Sequence, residues 1–427
     1  MTVEDRLRAT TNALSGALHE IRPLTLPPER PGRVSPPRRP RRWPGWVVPL
    51  TAAVAVIAVA VTLVAVRDSR GASPAPPAPV ANPAAATIPR YYVQLDAHTL
   101  ASDYQRAAIV GDSRTGKVLT TVKPPAHLTW VGVTGAADDR TFVFDAVSAT
   151  EVTQSNHITP GAHSWYLLRL APGTPHPATL TRLPIAALAG SAQVDGLALS
   201  PEAGTLAILY QSGALSGSTG PYTLRTFSLS TGKALRTWTA PAAKAPFGVT
   251  SVADSDDEAG LTWTADGRTL AFVFPPYSWP DYERTLNVTG QGASLLADSR
   301  PVLAIPGNQR GCASVLLSSD GRTVVCGTLG NATGGCRQQE PEFDLYSAAT
   351  GKLAVLYRYQ GACTSASANL VWTGVGGTAI AVIAAEHAAK HRTTIDYTAG
   401  VLTPGKFTPL HVPVPAGYGF YAGTLAF

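Results

Sequence analysis

Between Trp46 and Val66 the chain reads WVVPLTAAVAVIAVAVTLVAV, an unbroken run without a charge. As a helix rising about 1.5 Å per residue it is roughly 31 Å long, which matches the ~30 Å hydrocarbon layer of a bilayer. The run predicts a transmembrane helix over 46–66, so residues before and after it belong to opposite sides of a membrane. It is longer than the apolar core of a cleavable signal sequence, and VRDSRGAS behind it lacks a close A-x-A cleavage site, so an uncleaved signal anchor is expected. Arg30, Arg33, Arg38, Arg39, Arg41 and Arg42 precede it, whereas only Arg67 and Arg70, offset by Asp68, follow. The positive-inside rule then puts the N-terminus in the cytoplasm and the larger part outside, in a single-pass cell-membrane protein. Arg38, Arg39, Arg41 and Arg42 also form a basic cluster at the membrane surface, suited to anionic headgroups, although a topology signal alone accounts for them.

The charge divides at the same place. The whole chain of 427 residues holds 34 basic and 28 acidic side chains. Residues 1–70 contain 11 Arg and 5 acids, so the remainder carries 23 of each sign and is neutral. The pI of about 9.2 therefore reports a local segment and gives no reason to expect nucleic-acid binding by the main domain.

Four parts follow: a cytoplasmic segment 1–45, the span 46–66, a linker 67–89 and an extracytoplasmic domain 90–427. In the first, TVED has the form of a helix start, and Val3, Leu7, Leu14, Leu18 and Ile21 fall at helical spacings until Pro23. An amphipathic helix over 3–21 is expected, with a frayed helix, a cytoplasmic regulator as partner, or the membrane surface as its possible states. The Pro/Arg-rich stretch after it has the composition of disorder. Pro74, Pro76, Pro77, Pro79, Pro83 and Pro89 make the linker an extended spacer of at most roughly 70 Å.

From Arg90 onward short apolar runs alternate with Gly, Asp, Ser and Pro, the pattern of strands and turns. One unit recurs, in which an apolar strand and a tight turn lead to a Thr that opens a second apolar strand. It appears around Thr141, Thr205, Thr269, Thr323 and Thr378. Successive markers lie about 54 to 64 residues apart, enough for four strands per unit. A second hairpin turn recurs as RTGK, STGK, ATGK and, less closely, TPGK. Asp266-Gly267 and Asp320-Gly321 are turn residues by the same reasoning.

The units TADGRTLAFVF, SSDGRTVVCGT and LSPEAGTLAILY resemble the SPDGxxLAF signature of WD40-like and TolB-like β-propeller repeats across 90–427. Glu202-Ala203 and Gly376-Gly377 depart from it, and the Gly-His and Trp-Asp pairs of strict WD40 repeats are missing. The resemblance implies an all-β domain. YYVQLD reads as a B strand lacking an A strand, and YAGTLAF as an A strand lacking a B. Together they predict a six-bladed β-propeller of four-stranded blades, closed by the N- and C-terminal strands and preceded by the one transmembrane helix. The Arg-rich, Lys-poor, Ala-rich usage resembles that of actinobacterial proteins.

Connections at 146–162, 240–258, 275–283, 329–340 and 385–392 read as long loops, and in a propeller all of them share one face. Binding is expected on that face, with the chain arriving from the opposite, short-turn face. FPPYSWPDYE places Phe274, Tyr277, Trp279 and Tyr282 on the loop face, as a surface for protein or glycan contact or as packing between blades. Cys312, Cys326, Cys336 and Cys363 fall in one blade and its flanks. In an oxidising compartment they suggest two disulfides; three pairings are open, and Cys312 with Cys326 and Cys336 with Cys363 is the preferred one. A zinc site is the rival, without a C-x₂₋₄-C pair or a histidine in that blade to support it. His387 and His391 lie in a stretch read as a loop and lack the HExxH order. Asp254, Asp256, Asp257 and Glu258 offer hard oxygen ligands without EF-hand spacing, and a solvated loop is the plainer reading.

No metal or cofactor is therefore expected. G-x-S-x-G, P-loop and Rossmann patterns are missing, which disfavours an enzyme. The expected function is that of a non-catalytic binding or scaffold module for an envelope protein or glycan. Two alternatives stand beside it: an anti-sigma-like transmembrane signalling protein, although the HxxxCxxC motif is missing, and an extracytoplasmic hydrolase or lyase.

Overall fold

The computed structural model describes residues 88–95, 107–152, 158–171, 178–189, 192–213, 220–241, 260–273, 281–304, 312–328, 342–361, 365–389, 392–413 and 424–427. These residues belong to one compact unit, Val80–Phe427. The span expected at 46–66, the helix at 3–21 and the linker as far as residue 87 lie outside the described residues. Among the described residues no helix is long and apolar enough to cross a membrane.

Strands β1 (Tyr91–Leu95), β2 (Ala108–Asp112) and β3 (Val118–Val122) open the ring. The second blade holds β4 (Leu128–Gly135), β5 (Thr141–Val152), β6 (Ile158–Leu170) and β7 (Ala178–Arg182). The third holds β8 (Gln193–Leu199), β9 (Thr205–Gln211), β10 (Tyr222–Ser228) and β11 (Ala234–Ala240). In the fourth, β12 (Thr262–Trp263), β13 (Thr269–Val273) and β14 (Asp281–Asn287) lead through a one-turn helix α1 (Leu295–Asp298) to β15 (Ser299–Ala304). The fifth is β16 (Cys312–Leu317), β17 (Thr323–Thr328), β18 (Glu342–Ser347) and β19 (Leu353–Arg358). The sixth is β20 (Ser365–Thr373), β21 (Ala379–Ala389), β22 (Arg392–Thr403) and β23 (Lys406–Pro409), and β24 (Leu425–Ala426) ends the order.

Each blade is an antiparallel sheet of four strands, A to D from the axis outward, and the first has the order β24-β1-β2-β3. Val93 pairs with Ala426 and Gln94 with Leu425, so the last strand supplies the A position beside the first. The chain is a six-bladed β-propeller.

The B strands read as unbroken apolar runs because both faces of a blade are buried, each against a neighbour. In β13, Leu270 and Phe272 join the core shared with the third blade, while Ala271 packs with Val315, Leu317 and Val324 of the fifth. In β9, Leu206, Ile208 and Tyr210 face the second blade, and Ala207 and Leu209 the fourth. Consecutive residues of one strand thus serve two cores, which is what alternation every two residues dictates.

Turns of the A–B and C–D hairpins share one end of the ring. Gly116, Gly232, Gly351 and Gly405 of the TGK and PGK turns have φ of 69°, 68°, 64° and 75°, the left-handed region that L side chains avoid. The A–B aspartates are turn residues: Asp266 Oδ1 accepts from the amides of Arg268 (2.8 Å) and Thr269 (3.2 Å), and Asp320 Oδ1 from Arg322 (3.1 Å).

Arg90 lies at this turn end. Asp139, in the A–B turn of the second blade, accepts the amides of Arg90 (2.7 Å) and Tyr91 (2.9 Å). The Ser113 amide donates to Arg90 O (2.7 Å), and Ser113 Oγ donates to Pro89 O (2.7 Å). The described chain therefore joins the ring on its turn face, opposite the strand ends at Val273 and Asp281 that flank 274–280.

Candidate functional site

Two of the connections read as loops are strands. β5 continues to Val152 and β6 starts at Ile158; β21 continues to Ala389 and β22 starts at Arg392. SATEV and AAEHAA carry no clean two-residue alternation, so the ladder, with Ala385 paired to Asp396 and Ala388 to Thr393, is set by its hairpin partner. β5 has 12 residues and β21 has 11, against 7 in β9 and 5 in β13, all starting from the same turn end. At about 3.3 Å per residue the two hairpins rise on the order of 13–16 Å higher than β9 does. They belong to the second and sixth blades, the two neighbours of the first.

A cavity of ≈ 820 Å³ lies among the A strands of the ring. Val131, Gly196, Leu197, Ser314, Asn369 and Trp372 of the A strands border it. Asp145 and His163 stand at its wall and are almost fully buried, with side chains 2% and 6% exposed. His163 Nδ1 meets Asp145 at 2.8 and 3.0 Å, and Nε2 donates to Ala192 O at 3.2 Å. A carbonyl can only accept, so Nε2 carries a proton, and the second proton is shared between Nδ1 and the carboxylate. Burial is the largest influence on both groups. It raises Asp145; on His163 its lowering effect is outweighed by the hydrogen bond and the charge of Asp145. Neither ring nitrogen retains a lone pair for a substrate. The pair fastens β5 and β6 to the connection that leads into the third blade, where the His163 amide also donates to Leu188 O at 3.0 Å.

Glu283 is the most deeply buried acid among the described residues. It is 0% exposed, and among those residues no side chain hydrogen-bonds either carboxyl oxygen. Burial pushes its carboxyl up to about 8, against a lesser lowering pull from the Leu317 backbone. The adjacent Arg284 cannot neutralise it. Glu283 pairs across with Val273 and faces the fifth blade, whereas Arg284 pairs with Phe272 and turns the other way. The Arg284 guanidinium donates to Ser299 Oγ (2.8 Å), Ser299 O (3.0 Å) and Leu296 O (3.0 Å).

Cys312 and Cys326 form a disulfide between β16 and β17. Cys336 and Cys363 lie outside the described residues, as do Phe274, Tyr277 and Trp279. The backbone of Tyr282 belongs to β14. Arg38, Arg39, Arg41 and Arg42, the acidic run 254–258 and His391 are also outside. His387 is on β21, with Nε2 3.4 Å from Asp396 Oδ2. Among the described residues no three His, Cys, Asp or Glu side chains converge as metal ligands would.

No family model matches the chain, and no curated protein matches it. Among solved structures the chain is similar to TolB from Acinetobacter baumannii. The identity is 12% and the TM-score 0.40, over 79% of this chain and 65% of that one. The propeller domain of the Trilobed protease from Pyrococcus furiosus matches at 10% identity and a TM-score of 0.35, over 66% and 71% of the two chains. An oligogalacturonate lyase in complex with manganese matches at 11% and 0.36, over 71% and 75%. The chain spans 65% of the length of the TolB structure. The functional reading rests on this chain's own residues.

His163, Asp145 and Glu283 were not candidates in the sequence. A histidine two residues before Trp165 in an alternating run, HSWYLLRL, is the signal that marks His163 as inward-facing. For Glu283 no such signal exists, because YERTLN reads as a solvated strand.

Proposed function

We propose that this chain is a non-catalytic binding propeller, held at a membrane by its N-terminal segment and presenting its loop face to an envelope protein or glycan. The observation that carries the proposal is the asymmetry of the ring. One end has tight turns and takes the incoming chain; the other bears the two tall hairpins on either side of the first blade. Two tall walls of paired strands suit a partner surface larger than a metabolite. The Asp145–His163 pair supports a binding role, since its ring nitrogens are committed to structural bonds. The apolar run 46–66, a short spacer ahead of Ile88, supports the membrane attachment.

In-cell photocrosslinking tests this. A crosslinker at Thr394, exposed on the β22 wall, is expected to capture a discrete envelope partner, and one at Ala349 on the turn face is not. Equal capture from both positions, or none from Thr394, would overturn the assignment of the binding face.

A further inference from the structure

The turns that build the lower end of the ring share a charge as well as a shape. In four of six blades the C–D turn places a lysine directly after its left-handed glycine, at Lys117, Lys233, Lys352 and Lys406, and all four are exposed. They sit on the outer strands, around the rim. Nearer the axis, Arg268 and Arg322 follow the A–B turn glycines and are exposed too.

Acids are present on the same face: Asp138, Glu202, Asp266 and Asp298 are exposed, while Asp112 is buried and Asp139 and Asp320 are half-buried. Asp112 accepts the amides of Arg114 and Thr115, and Asp139 those of Arg90 and Tyr91. Asp138 accepts the amides of Arg140 and Thr141. Asp266 and Asp320 cap their own turns in the same way. These carboxylates keep their charge, and the face is basic because its exposed cations, Arg90 and Arg114 included, outnumber its exposed acids. Since residues 71–427 are neutral in total, a basic turn face implies that the compensating acids lie elsewhere on the domain.

Chain direction supplies the partner. Arg90 joins the ring on this face, and only the stretch 67–87 separates Ile88 from the apolar run that ends at Val66. The spacer, with a reach of at most roughly 70 Å, therefore starts from the turn face of the ring. We propose that the turn face docks the propeller on the anionic headgroups of the membrane that its N-terminal segment enters. The ring then lies flat, with the two hairpin walls pointing away from the bilayer. This rests on the membrane attachment proposed above and adds an orientation to it.

The test uses the full chain with vesicles of phosphatidylcholine alone or with phosphatidylglycerol added. Flotation at high salt reports attachment by the apolar run. A fluorescent residue at Ala349 on the turn face, or at Gln360 at the other end of β19, reports docking through a quencher carried by the lipid. Quenching at Ala349 but not at Gln360 is expected in anionic vesicles only. It should weaken at least roughly tenfold at high salt and in the variant Lys117→Gln/Lys233→Gln/Lys352→Gln/Lys406→Gln. Flotation at high salt with equal quenching in both lipids would overturn the docking and leave the attachment standing. No flotation at high salt would overturn the attachment; docking would then survive only if the chain still floats on anionic vesicles at low salt and the lysine variant does not. Release by millimolar glycerol phosphate would overturn the headgroup assignment in favour of a soluble phosphoester.

Discussion

Glu283 shows how strand geometry can create a charge problem that composition hides. Glu283 and Arg284 are adjacent, yet the pleat sends them into different blade interfaces, so the acid stays neutral instead of pairing. With its carboxyl pushed to about 8 against an ordinary 4.5, the native state keeps a proton that the unfolded chain gives up between those values. The contribution of Glu283 to stability is therefore fullest below about pH 4.5, falls as pH rises through the window and is flat above about 8. Glu283→Gln removes this fall. Urea unfolding at pH 5 and pH 8.5 is expected to show the variant gaining about 3–5 kcal/mol on the wild type between the two; parallel pH dependence would refute the neutral acid. At Asp145 the opposite logic holds, because its partner is present. His163→Leu leaves a buried acid alone and is expected to cost about 3–5 kcal/mol, while the double variant His163→Leu/Asp145→Leu recovers much of that in chemical denaturation. The sequence marks His163 as inward-facing but shows neither its pairing with Asp145 nor the burial of Glu283, since partnership across strands depends on register and on which face a residue takes.

At the level of strands and turns the sequence was far more informative, for a physical reason. Tight turns need glycine at positive φ and an acid or hydroxyl to cap free amides, so they leave fixed residues at fixed spacings, as around Gly267 and Gly321. B strands buried on both faces must be continuously apolar, which marks Thr269–Val273 and Thr323–Thr328. The hairpin walls obey neither constraint. They stand above the ring where one face is solvated, and Ala-rich or polar residues such as those of AAEHAA suffice once a partner strand is in register. The disulfide belongs to this scale as well. Cys312 and Cys326 have a sequence separation of 14 and tie an A strand to its B strand within one blade. Cys312→Ser/Cys326→Ser is expected to lower stability by about 3 kcal/mol, with the shift in urea midpoint lost when both proteins are measured under reductant.

For the molecule as a whole, closure runs through β24. Among the described residues it meets β1 at Val93–Ala426 and Gln94–Leu425, and Leu425, Ala426 and Phe427 are all buried. A Cβ at Gly135 would lie 2.2 Å from Phe427 O, so the second blade is built to receive that backbone. Deleting 424–427 is expected to cost about 4 kcal/mol of apolar burial and to expose the inner edge of β1, giving a lower Tm and a larger species on gel filtration. The N-terminal segment offers a separate test at the same scale: removing residues 2–22 should leave a binding phenotype intact, whereas its loss would transfer the function to signalling. The seam also sets a timetable. Tyr91 leaves the ribosome far ahead of Leu425, and at about 5–20 residues per second the gap is roughly 17–67 s. Throughout that interval YYVQL waits with one edge bare, so the protein is at greatest hazard from its own neighbours during synthesis, before β24 has been made.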